Sequence, residues 1–178
     1  RDRTLLEELG LGEYLSRLFS EAPAARRREY PAEWFRLDRP GGRCTGCEGR
    51  GTLRFDMQFM EDIALICPVC EGRRFRPEIL DITLRGMNMD DLLNMEIVHA
   101  VEYFGREQRL QARLKAAQRC GLDHHLLGRS VVGLERAEWL RLQLAGELVR
   151  AGERDLIVLD MPASGEHPFE VASLMKAM

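Results

Sequence analysis

The chain has 178 residues, 45% of them apolar, and a formal net charge of −3. This composition suits roughly one domain, or two small ones, around a buried core, and it excludes wholesale disorder. No apolar run approaches the ~20 residues that cross a bilayer, and Arg1-Asp2-Arg3-Thr4 opens no secretory leader, so no membrane span and a cytoplasmic location are expected.

In chain order, Leu5, Leu6, Leu9, Tyr14, Leu15, Leu18 and Phe19 recur at helical spacing, interrupted at Gly10 and Gly12, which predicts two short helices. Pro23 and Arg26-Arg27-Arg28 follow, then Trp34 and Phe35 lead through Pro40-Gly41-Gly42 to a first cysteine pair, Cys44 and Cys47. Leu53, Phe55, Met57 and Phe59 alternate with polar residues, and 62–67 is more continuously apolar. Together they predict a β-hairpin that ends at a second pair, Cys67 and Cys70. Residues 78–84 read as a further strand stopped at Arg85-Gly86. Asp90 or Asp91 then caps a Leu- and Met-rich helix. Segments 95–104 and 107–119 predict amphipathic helices ending at Gly105 and Gly121, and 135–151 predicts another. The run 155–160 suits a buried parallel strand, and 169–178 a last helix. The fold class is therefore α+β, mixed, and the domain reading starts with helices over 1–30, a module carrying both cysteine pairs over 31–86 and a helical segment over 87–130.

The cysteines carry the strongest chemical signal. Two C-x2-C turns with nineteen residues between them, Cys44-Thr45-Gly46-Cys47 and Cys67-Pro68-Val69-Cys70, suit one tetrahedral zinc held by four thiolates. An odd total of five cysteines argues against a disulfide framework. Each second cysteine is followed by Glu-Gly, and glycine there permits the backbone to aim N–H groups at sulfur. Such a site is structural, because four thiolates leave no open position for catalysis. Cys120 reads as a small core residue at a helix end, and His99, His124, His125 and His167 lack metal-ligand spacing.

Of the 26 cations, 24 are arginine, and between Arg26 and Arg76 eleven arginines face eight acids. Arg50, Arg54, Arg73, Arg74 and Arg76 flank the cysteines. They would either offset the thiolate charge or contact phosphates, with Phe55, Phe59 or Phe75 packing alongside.

At Gly41-Gly42-Arg43-Cys44-Thr45-Gly46-Cys47-Glu48-Gly49-Arg50-Gly51, and from the helix near Gly12 to Pro23, the sequence resembles the UvrA family, the damage-recognition ATPases of bacterial nucleotide excision repair. The likeness extends through Met57-Gln58-Phe59-Met60, Cys67-Pro68-Val69-Cys70-Glu71-Gly72-Arg73-Arg74-Phe75 and Cys120-Gly121-Leu122. The first pair also fits the C-x-x-C-x-G-x-G repeat of DnaJ-type chaperones, which carry four such repeats where this chain has two. The UvrA resemblance implies that 131–178 is a partial ABC-ATPase unit. Its signature Leu-Ser-Gly-Gly-Glu is here Leu134-Glu135-Arg136-Ala137-Glu138, which sets a carboxylate, a guanidinium and a methyl group where phosphate and bare backbone belong. The family's Leu-Asp-Glu-Pro is here Leu159-Asp160-Met161-Pro162, and a thioether cannot orient the attacking water. No phosphate-loop motif occurs in the sequence. The resemblance therefore implies a zinc protein with degenerate nucleotide motifs and no ATP turnover, binding DNA weakly or a DNA-repair complex. The alternative is a zinc-stabilised adaptor for a protein partner or a second copy.

Overall fold

A computed structural model describes residues 3–55 and 63–150. In chain order its elements are α1 (Leu5–Glu8), α2 (Gly12–Ser20), α3 (Pro23–Arg27), a 3-10 turn (Ala32–Phe35), β1 (Thr52–Phe55), β2 (Ile63–Ile66), α4 (Pro77–Leu80), α5 (Met89–Leu93), α6 (Ile97–Tyr103), α7 (Gln108–Arg119) and α8 (Arg136–Arg150). The class is mixed α+β, with one antiparallel hairpin among the described residues. The chain forms two units, one from the described parts of Arg1–Leu11 and Leu93–Met178, the other from Gly12–Leu92.

In the first unit, α1 is a single turn, too short to persist alone in water. The Thr4 hydroxyl accepts the Glu7 amide at 3.3 Å while the Glu7 carboxylate accepts the Thr4 amide at 2.8 Å, a reciprocal cap. The Leu5 and Leu6 amides donate to the carbonyls of Arg129 and Leu127, and both side chains are buried. The turn is thus held by partners more than a hundred residues away in sequence. On α7, Leu110, Leu114 and Ala117 are buried at helical spacing, and this helix packs against both α6 and α8. Cys120 follows α7 and is buried, and burial raises its thiol to about 11, so it stays neutral, a core residue at a helix end.

The second unit carries the cysteines. Helix α2 packs on the 3-10 turn, with the buried rings of Phe19 and Phe35 at 5.5 Å. Helix α3 and the 3-10 turn have no counterpart in the sequence reading. Helix α3 starts on Pro23, whose fixed φ suits the first helical position.

Residues 78–84 are not a strand. Pro77 holds Arg76 extended and starts α4, and Ile79 and Ile82 are both buried, a spacing of three that no strand would place on one face. The chain then turns at Arg85 and Gly86, both at positive φ, between the bridged Leu84 and Met87. The cap of α5 is Asn88 rather than Asp90 or Asp91. Its side-chain oxygen accepts both of their amides, at 2.8 and 3.0 Å, and Asp91 returns a carboxylate to the Asn88 amide at 2.8 Å. The expected strand 155–160 and helix 169–178 lie outside the described residues.

Close backbone approach fixes the entry to the cysteine region. A Cβ on Gly42 would lie 1.7 Å from the Trp34 carbonyl oxygen and 3.1 Å from Ile79. Gly42→Ala should therefore destabilise the protein by roughly 1–3 kcal/mol through forced backbone movement. A shift in the denaturant midpoint measures it, and an unchanged midpoint would contradict the steric argument.

Candidate metal centre

The two cysteine turns are brought together by backbone pairing before any side chain is considered. Arg43 and Phe75 form an isolated antiparallel bridge, with the Cys44 amide donating to the Arg74 carbonyl at 2.7 Å and the Arg76 amide to the Gly42 carbonyl at 2.9 Å. The hairpin closes the other side. Thr52 pairs with Ile66, and the Cys67 amide donates to the Gly51 carbonyl at 2.9 Å. One cysteine turn thus enters the hairpin and the other leaves it.

The turns repeat one another in geometry. Glu48 and Gly49 have φ of 54° and 84°, and Glu71 and Gly72 have 52° and 87°. Two successive left-handed residues after each second cysteine curl the chain back toward sulfur. The glutamates bear the strain of a side chain there, and the glycines bear none. The Gly51 amide donates to Cys47 Sγ at 3.2 Å, and the Arg74 amide, at the matching place in the second turn, donates to Cys70. The Gly49 amide also reaches Cys47, while Val69 and Cys70 supply amides to Cys67. The sequence pointed to the glycines and missed the residue four places after each second cysteine.

Cys44, Cys47, Cys67 and Cys70 are all buried, and their sulfurs lie within 4.8 Å of one another. Cys44 Sγ and Cys67 Sγ are 3.9 Å apart, and Cys47 Sγ and Cys70 Sγ 3.6 Å. A tetrahedron of sulfurs at ~2.3 Å from a central zinc has edges of about 3.8 Å. The sulfur cluster therefore fits a metal ion of that size, and none of the four cysteines is in a disulfide.

Burial raises the Cys70 thiol to about 12 and also raises Cys47, both against the pull of their amide donors. At Cys67 burial acts the same way, but the amides of Cys70 and Val69 outweigh it and bring the thiol down to about 7. Cys67 is thus drawn toward the thiolate form while burial holds Cys47 and Cys70 as thiols.

No protein-family model matches the chain. Curated relatives do. UvrABC system protein A of Clostridium perfringens is 34% identical over 170 residues, 95% of this chain, and that of Thermus thermophilus is 35% identical over 170 residues. The crystal structure of UvrA2 from Deinococcus radiodurans superposes with a TM-score of 0.92 at 32% identity, covering 98% of this chain and 22% of that one. Nearly the whole chain is homologous to one stretch of UvrABC system protein A. It spans about 18% of the length of those curated relatives.

Around the UvrA-like centre, the flanking arginines differ in their surroundings. Arg50 pairs with Glu48 at 3.4 Å and Arg73 with Glu71 at 3.0 Å, matching exposed pairs on the two turns. Arg76 is half-buried, 5.3 Å over the Trp34 ring and 3.3 Å from Glu78, so its guanidinium is tied into the scaffold. Arg54 is exposed on β1, and Arg74 is half-buried. Phe75 is buried at 1% exposure and cannot pack beside a ligand, Phe55 is exposed, and Phe59 lies outside the described residues.

The segment that the sequence reading compared with an ABC signature sits at the start of α8, whose first residue is Arg136, with Glu135 exposed and Ala137 half-buried. The Glu138 carboxylate accepts the Glu135 amide at 3.0 Å and both arms of Arg129, at 2.8 and 2.9 Å. Burial would raise that carboxyl, but the Arg129 bonds outweigh it and hold it low. His125 lies 3.3 Å from Glu138, and burial, with Arg129 beside it, lowers its basicity. Asp160 and Met161 lie outside the described residues. Among the described residues no helix is long and apolar enough to cross a membrane.

Two outcomes follow from the sulfur geometry. Cys67→Ser should bring metal content, measured by elemental analysis, to near zero and unfold the hairpin, because binding energy at such a site is folding energy. Retention of stoichiometric metal would contradict the assignment. Binding also displaces a proton from each neutral thiol, so affinity rises with pH and is lost on acidification. Apparent zinc affinity in chelator competition should fall by more than about tenfold for each unit from pH 8 to pH 6.

Proposed function

We propose that this chain is a UvrA-like zinc module that binds DNA and does not itself hydrolyse ATP. The observation that carries the reading is the closed four-sulfur centre with one exposed arginine–glutamate pair on each cysteine turn. Zinc, held by Cys44, Cys47, Cys67 and Cys70, supplies the crosslink that fixes the turns. Exposed ion pairs contribute at most about 1 kcal/mol, so Arg50 and Arg73 can exchange Glu48 and Glu71 for phosphate oxygens at little cost. Arg54 and Arg74 add positive charge nearby, and Arg76 keeps Trp34 and the second turn in place.

The absence of ATP turnover is supported by the segment before and into α8. Glu135 and Arg136 bring side chains to positions where the family has serine and glycine, and the amide of Glu135 is already satisfied by the Glu138 carboxylate. An anion placed beside the Glu135 amide would meet the Glu138 carboxylate already bonded to it.

Fluorescence anisotropy with duplex DNA at low salt tests the first part. Binding should be weak and strongly salt-dependent, and Arg50→Glu with Arg73→Glu should weaken it at least tenfold. The double variant should also reduce the salt slope by roughly 2, as expected for two lost phosphate contacts. Binding unaffected by the charge reversal would reject the contact surface. In a phosphate-release assay the chain should show no ATP-dependent signal above buffer, and measurable turnover would reject the second part.

A further inference from the structure

We propose that His125, Arg129 and Glu138 form an acid-released latch, which clasps the first turn of α8 to residues 125–131 while His125 is neutral and opens when His125 takes a second ring proton. The three side chains close a ring of hydrogen bonds. Arg129 donates to both Glu138 oxygens, at 2.8 and 2.9 Å, and from Nη1 also to His125 Nδ1 at 2.5 Å. His125 Nε2 lies 3.3 Å from Glu138 Oε1. A guanidinium has only N–H donors, so Nδ1 must be the accepting nitrogen, and the ring proton sits on Nε2, facing the Glu138 carboxylate. One neutral tautomer of His125 therefore satisfies every contact. The cationic form cannot, because its Nδ1–H would point at an N–H of Arg129 and set two positive charges together.

The backbone holds one side of this ring still. The Leu5 and Leu6 amides donate to the carbonyls of Arg129 and Leu127, the Val131 amide to that of Arg3, and the Ile97 amide to that of His125. Beyond Val131 the chain runs through Val132 and Gly133, both exposed, toward α8. Gly133 has a φ of 96°, and a Cβ there would meet nothing within 4 Å, so this link is free to swing. At its far end the Glu138 carboxylate also accepts the Glu135 amide, at 3.0 Å. Glu138 thus ties the end of a mobile link to a fixed segment.

The charges around His125 set when the tie breaks. Arg129 and His124 belong to its own segment, Glu138 and Arg141 to α8, and Glu96 at the head of α6 pairs with His124 at 3.2 Å. Burial, then Arg129, with Arg141 and His124, act against the cation and Glu138 favours it, so that His125 lies below its ordinary 6.5. Burial raises the Glu138 carboxyl, but Arg129 lowers it further, so it stays ionised through the same range. A base with depressed basicity in the folded chain contributes its full stability above the unfolded value and loses it as pH falls. The latch is therefore closed above about pH 6.5 and opens progressively below it.

The test uses the full, metal-loaded chain, labelled with nitrogen-15 and followed by NMR. His125 should be the Nε2–H tautomer at about pH 7.5 and titrate with a midpoint below 6.5, and Arg129→Met should raise that midpoint. Hydrogen exchange of the Glu135 amide, corrected for the intrinsic rate at each pH, should quicken at least about threefold from about pH 7.5 to pH 5.5, and should not do so in His125→Gln. Zinc released by acid is released from both chains alike and cancels in that comparison. An Nδ1–H tautomer, a midpoint at or above 6.5, a midpoint indifferent to Arg129→Met, or equal quickening in His125→Gln overturns the proposal. Should His125→Gln fail to fold, the tautomer and midpoint of the unaltered chain decide it.

Discussion

Four sulfurs within 4.8 Å of one another, all shielded from water, are the constraint on which the cysteine-bearing unit depends. As thiolates they repel one another, and as thiols they contribute only weak hydrogen bonds, so a central divalent cation is the physical arrangement that makes them attractive. Everything nearby serves that arrangement. The backbone bridge between Arg43 and Phe75 and the pairing of Thr52 with Ile66 bring the turns to within sulfur–sulfur contact from opposite sides. The left-handed residues after Cys47 and Cys70 then aim amides at sulfur, spreading the negative charge of the site over N–H dipoles.

That geometry also decides what the surface can offer. Because the sulfurs take up the interior of the two turns, their charged residues project outward as the matched pairs Arg50–Glu48 and Arg73–Glu71. The hairpin between them is anchored at Leu53 and exposes Phe55, Ile63 and Leu65. The same site thus supports a rim of arginine–glutamate pairs and an apolar arm. In the other unit, the Glu138 carboxylate at the start of α8 is shared between the two arms of Arg129 and the Glu135 amide just before the helix.

The cysteine spacing, the Glu-Gly repeats and the alternation of Leu53 and Phe55 were legible because each is a local pattern with one geometric consequence. Residues 78–84 were not. Their apolar positions satisfy both a two-residue and a three-residue period, and only the burial of Ile79 together with Ile82 selects the helix. The cap at Asn88 was missed for a similar reason, since Asn88, Asp90 and Asp91 are all competent capping side chains, and the bond that forms depends on where α5 begins. The roles of the arginines were indistinct in the sequence because a guanidinium's partner is a matter of neighbours. Arg76 lies on Trp34, forty-two residues earlier, while Arg73 pairs two residues back.

By itself the sequence determined the four-cysteine cluster, the hairpin that joins its halves and the mixed α+β class. These are fixed by residue identity and short spacing, which folding cannot alter. Only the tertiary structure decided that α1 is held by the Leu127 and Arg129 carbonyls, that Phe75 is core rather than surface, and that Phe55, Ile63 and Leu65 of the hairpin meet solvent. Each of those depends on which distant segment occupies the neighbouring space, and burial and long-range hydrogen bonds come into being only when the chain has closed on itself.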